Sequence, residues 1–83
     1  MPNKVFEAVV EDLDFVGDIL SVGITKKGVM KQGADPDSVT VQQMIAALNN
    51  HIVPALHSFV SKKKAEAWRR VMIKKLKSME GGS

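Results

Sequence analysis

Apolar residues recur along the N-terminal stretch at three- and four-residue intervals: Val5, Phe6, Val9, Val10, Leu13, Val16 and Leu20. At about 100° per residue these positions share one face of a helix. Glu7, Glu11, Asp14 and Asp18 fall on the opposite face, and Asn3 is placed to cap the start. The pattern predicts one amphipathic helix through Leu20. Ala8, Phe15 and Ile19 lie outside its stripe and suggest a second, weaker contact surface.

The chain is punctuated between Val22 and Ser38. Gly23, Gly28 and Gly33 recur every five residues, and Ala34-Asp35-Pro36-Asp37 reads as a turn. A short helix from Thr25 to Gln32, with Thr25 as N-cap and Gly33 just past its end, fits this spacing. A hairpin pairing residues 19–24 with 29–31 is the competing reading.

Two longer helices follow. Thr40 and Gln43 have the spacing of a capping box. Beyond them Val41, Met44, Ile45, Leu48, Ile52, Ala55, Leu56 and Phe59 hold one face. Pro54 sits on the other side and cannot donate to the carbonyl of Asn50, so a kink is expected there, in one bent helix or between two short ones. The last segment starts at Ser61, a second N-cap, and buries Ala65, Trp68, Met72, Leu76 and Met79. Lys63, Arg70, Lys74 and Lys77 lie opposite, while Lys62, Lys64, Arg69 and Lys75 flank the stripe, where long stems cover apolar surface.

The fold these patterns predict is all-α, a small three- to four-helix bundle. It has an N-terminal helix, a glycine-punctuated connector and two longer antiparallel helices. Residues 1–80 form its single domain and 81–83 a flexible tail. The expected core is Phe6, Val9, Leu13, Val16, Leu20, Met44, Ile45, Leu48, Ile52, Leu56, Phe59, Trp68, Met72 and Leu76.

Composition narrows the function. With 83 residues and no cysteine, disulfide scaffolds, cysteine zinc sites and thiol nucleophiles are excluded. So short a chain is expected to have little volume left for a pocket of several hundred Å³. Net charge is +3 but unevenly spread. Residues 1–20 set one lysine against five acids, and residues 61–80 set eight basic residues against two acids. Such a gradient suggests attraction between the two ends, or an anionic partner for one of them. Residues 38–61 carry no charged side chain. A surface helix usually carries charges on its outer face, so this one is expected to be covered by its own chain or by another subunit. Its Gln and Asn residues are too polar for a membrane span. The N-terminus has no apolar leader run, which makes a cytoplasmic location the expectation.

Candidate chemistry is sparse. The segment Val22-Gly23-Ile24-Thr25, with Val29 following, resembles the turn and recognition helix of helix-turn-helix DNA-binding proteins. The resemblance implies a turn at Gly23, inward packing of Ile24 and Val29, and Lys26, Lys27 and Lys31 facing a duplex. Ile19 stands where that pattern has a small residue, and Gly28 falls inside the second helix. His51 and His57 are six residues apart, about 120° on a helix, which does not suit two ligands of one metal. Gly23 and Gly28 have the spacing of a phosphate-binding loop, but Val29-Met30 replaces the Lys-Ser/Thr that such a loop requires. No catalytic, metal-binding or cofactor-binding residues are assigned.

Two functional expectations result. The first is a non-enzymatic protein–protein interaction module that self-associates or docks through its charge-free central helix, using Gln42, Asn49, Asn50 and His57. Its partner is a second copy or another protein, not a membrane. The alternative is a DNA-binding regulator. It would use residues 19–32 with Lys26, Lys27 and Lys31, and a basic C-terminal helix with Lys63, Arg70, Lys74 and Lys77.

Overall fold

The computed structural model describes residues 3–81. Asn3 is extended, and its Oδ1 accepts from the backbone N–H of Val5 at 2.8 Å and of Phe6 at 3.1 Å. This satisfies donors that a first helical turn leaves unpaired, and it opens α1 (Lys4–Asp12). The helix stops short of Leu20. A 3-10 turn (Asp14–Val16) follows, and Gly17 adopts φ 101°, a backbone region open to glycine and strained for other residues.

Helix α2 (Asp18–Lys31) then runs without interruption through Gly23 and Gly28. The turn expected at Gly23 is absent, as is the hairpin, so the helix-turn-helix geometry is not formed by residues 19–32. Thr25 is not a cap. Its buried Oγ1 donates to the Ser21 carbonyl at 2.7 Å, one turn back, and Ser21 Oγ donates to the Asp18 carbonyl at 2.9 Å. These bonds let two hydroxyls enter the interior without an unmet partner. The buried face of α2 is Ser21, Thr25, Gly28 and Val29. A Cβ on Gly28 would lie 2.6 Å from Ile52 Cγ1, so the glycine permits a close crossing over the central helix. Packing of this small-residue face overrides the local tendency of glycine to end helices.

The turn expected around Asp35 forms, with Asp35 Oδ1 accepting from the Asp37 N–H at 2.8 Å. Both halves of the capping box are present. Gln43 N–H donates to Thr40 Oγ1 at 3.1 Å, and Thr40 N–H donates to Gln43 Oε1 at 3.0 Å. From there α3 (Val41–Ala47) passes into a π turn (Leu48–Ile52) and on into α4 (Val53–Leu56). Val53 N–H reaches back five residues to the Leu48 carbonyl. The widened turn ends just before Pro54, whose ring would crowd the carbonyl four residues back in a regular α-helix. Pro54 therefore neither ends the helix nor divides it in two; the bend is taken up as a π turn.

Ser61 Oγ accepts from the Lys64 N–H at 3.2 Å and starts α5 (Lys62–Gly81). This helix returns along the central one, packing against α4 and α3, and also touches α1. It extends one residue into the expected tail; Gly82 and Ser83 lie outside the described residues. The chain forms the expected small all-α bundle, with no strand among the described residues. Helices α2 and α5 each pack against α1 and the central helix.

The core joins Val9, Leu13, Met44, Leu48, Ile52, Leu56, Met72 and Leu76, as expected, with Val29, Val39, Ala47, Val53 and Ala65. Phe6, Val16, Ile45 and Trp68 pack on its edge, half-buried. Two expected core residues face outward. Leu20 is 43% exposed because the break at Gly17 takes it off the stripe of α1, and Phe59 is 49% exposed because it lies in the turn after α4.

Candidate docking surface

Because α2 turns Ser21, Thr25 and Gly28 inward with Val29, several of its large apolar side chains are left on the outside. Ile19 is 88% exposed and Met30 58%, with Leu20 and Val22 also exposed. Ile19, Gly23 and Met30 follow one another along a single edge, at i, i+4 and i+11. Nothing lies within 4 Å of where a Gly23 Cβ would be, so this residue leaves a notch in the edge.

Beside that edge a groove of about 440 Å³ runs between α2 and the central helix. Ile19, Leu20, Ile24 and Gly28 line it from α2; His51, from the π turn, and Ala55, from α4, line it from the other side. Lys27 and Lys31 stand at its margin, and Lys26 borders an adjoining depression shared with Gly23 and Met30. Among the described residues, none of these three lysines has a carboxylate within ion-pair distance. The groove thus has an apolar floor beside a basic rim; Lys26 also borders a depression lined by Asp35 and Asp37, whereas no carboxylate lines the groove beside Lys27 and Lys31.

The residues singled out in the sequence are distributed as follows. Lys26, Lys27 and Lys31 are exposed together along α2. Lys63, Arg70, Lys74 and Lys77 are exposed on a different helix, α5. Gln42, Asn49, Asn50 and His57 are exposed but do not form one patch. Asn49 Oδ1 accepts from Arg69 Nη1 at 3.3 Å, and Asn50 Nδ2 donates to Gln32 Oε1 at 3.2 Å. These two amides therefore tie the central helix to its own neighbours. Cover by α2 and α5 accounts for much of its missing charge.

Attraction between the chain ends is present but local. Lys75 Nζ pairs with Asp12 Oδ1 at 3.0 Å, and Trp68 Nε1 donates to the Asp12 carbonyl at 3.1 Å. Phe15 packs edge-on to Trp68 with ring centroids 6.3 Å apart, and Lys64 Nζ lies 5.0 Å from the Phe15 centroid. Arg69 pairs with Glu66 on its own helix at 3.0 Å. Part of the basic content of α5 is thus used within the fold, unlike that of α2.

Among the described residues no group of three His, Asp or Glu side chains is placed to hold a metal ion, and no helix is long and apolar enough to cross a membrane. Comparison with protein-family models, with curated proteins and with solved structures finds no match. The apolar edge of α2 was foreshadowed only by Ile19 lying off the first stripe; Phe15, off the same stripe, packs on Trp68 instead. The groove itself depends on the register of α2 against a π turn, which no sequence pattern encodes.

Proposed function

We propose that this chain is a non-enzymatic helical protein–protein interaction module that docks through the groove between α2 and the central helix. The observation that carries the reading is the row of large apolar side chains left outside α2, above all Ile19 at 88% exposure, beside a groove with an apolar floor. Isolated exposed apolar residues are ordinary, whereas exposed apolar side chains bordering an apolar concavity, as Ile19 and Leu20 do here, mark binding surfaces. The charge-free central helix takes part through His51 and Ala55 rather than through Gln42, Asn49, Asn50 and His57. In the alternative reading a nucleic acid binds the lysines of α2. The continuous helix through Gly23 removes its turn, and a duplex offers little to cover Ile19 and Met30.

The test is selection of random helical peptides of about 16 residues, long enough to span the row, against the intact chain. The tightest binders are then measured on Ile19→Asp. Their loss of affinity on this variant, with the fold intact by circular dichroism, supports the reading. Unchanged affinity for Ile19→Asp removes α2 as the docking surface.

A further inference from the structure

We infer that the occupant of this groove is an amphipathic α-helix of another protein, with an apolar ridge flanked by Asp or Glu. This inference rests on the docking reading above and adds the chemistry of the partner. Ile19 to Met30 spans eleven residues, about 16 Å of helix at 1.5 Å per residue. Three turns of a second helix match that length, with apolar residues at i, i+4, i+7 and i+11. The notch at Gly23, where nothing lies within 4 Å of a Cβ position, receives one large side chain of the ridge.

Charge selects among occupants. Lys26, Lys27 and Lys31 border the surface, and among the described residues no carboxylate pairs with them. Lys26 shares a depression with Asp35 and Asp37, so an acidic flank chiefly compensates Lys27 and Lys31. A second copy docked α2 to antiparallel α2 gathers two Lys26 and two Lys27 side chains near the crossing point, and like charges placed together disfavour it. A flat anionic bilayer can meet the exposed lysines and Ile19, but it fills less well the concave wall formed by His51 and Ala55, which are half-buried. A helix ridge fits that wall.

Fluorescence anisotropy with three labelled probe peptides of about 18 residues tests this on the full chain. One has a leucine ridge with glutamate flanks, one the same ridge with lysine flanks, and one the acidic composition with its ridge scrambled. The acidic-ridge peptide is expected to bind at least about tenfold more tightly than either control, and to lose about tenfold or more on Ile19→Asp. Its affinity falls as salt is raised from about 50 to about 200 mM. On the double charge reversal Lys27→Glu with Lys31→Glu, the preference shifts to the lysine-flanked peptide. All substituted side chains are exposed, and circular dichroism with a thermal melt verifies the fold of each variant.

Equal binding of acidic and basic ridges, or binding unaffected by Ile19→Asp, overturns the inference. So does tighter binding of phosphatidylserine vesicles or of a mixed-sequence duplex of about 30 base pairs. So does an Ile19-dependent dimer in sedimentation velocity. Library-selected peptides that depend on Ile19 but lack acidic flanks overturn the inference and leave the docking reading standing. Absence of any Ile19-dependent binder removes both.

Discussion

Two glycines on α2 have opposite roles, and the difference lies in what a single methyl group would meet. At Gly28 it meets Ile52 Cγ1 at 2.6 Å, and at Gly23 it meets nothing within 4 Å. Gly28→Ala should therefore destabilise the chain by about 1–3 kcal/mol through overpacking, despite the better helix propensity of alanine. Urea unfolding checks this, and the effects of Gly28→Ala and Ile52→Ala should be less than additive, because the second removes the clashing atoms. Gly23→Ala should stabilise by about 0.5–1 kcal/mol in the same assay, while weakening binding of the acidic-ridge peptide by filling the notch. At this scale three of the four expected N-caps were legible: Asn3, Thr40 with Gln43, and Ser61 act as their positions suggest, whereas Thr25 lies inside α2 because packing carries that helix through it. Gly28 was not legible either, because its reason is a side chain on another helix.

At the scale of elements, α2 and the π turn are where the sequence patterns misled, each for a physical reason. Periodicity assumes that large apolar side chains face the core. Helix α2 does the reverse, burying Ser21, Thr25 and Gly28 with Val29 as its anchor. The central helix was read correctly as to its cap and start and, Phe59 apart, its face, and the irregularity expected at Pro54 occurs as a π turn just before it. Local pattern could not say that the irregularity is an extra residue in one turn. Deleting Asn50, which is exposed, should return that turn to α register and bring the proline ring against the carbonyl four residues back. The expected loss is about 3 kcal/mol. Adding Pro54→Ala to the deletion should recover most of it, since alanine restores the missing donor. Chemical denaturation of the deletion and the combined variant measures the difference.

At the scale of the whole molecule, the charge gradient resolves into one anchored contact and one basic rim. The C-terminal end of α1 is fastened to α5 by the Trp68–Asp12 hydrogen bond and the Lys75–Asp12 pair. Trp68→Phe keeps most of the ring packing and removes the donor, so it should cost about 0.5–1.5 kcal/mol. Lys75→Ala should cost no more than about 1 kcal/mol, because the Lys75 side chain is about half exposed and solvent screens the pair. Thermal melts of the two variants rank them. The fold class and the antiparallel return of α5 were readable from periodicity and short connections. Which helices lie next to which is set by contacts far apart in sequence, and the groove follows from that arrangement.

Small residues on the inward face of α2 also bear on how the molecule opens. A helix that fits closely but buries little apolar area is secured by shape, and most of its surface is already in water when folded. Its detachment exposes less new apolar surface than detachment of the central helix, which carries Met44, Leu48, Ile52 and Leu56 into the core. Amide hydrogen exchange should therefore divide the chain into cooperative units. Amides of Thr25 to Val29 should exchange through a partial opening, ahead of those of Met44 to Leu48, which exchange only on global unfolding. A docked partner helix would slow the first group and leave the second unchanged, so the same helix that presents the surface would also report its occupancy.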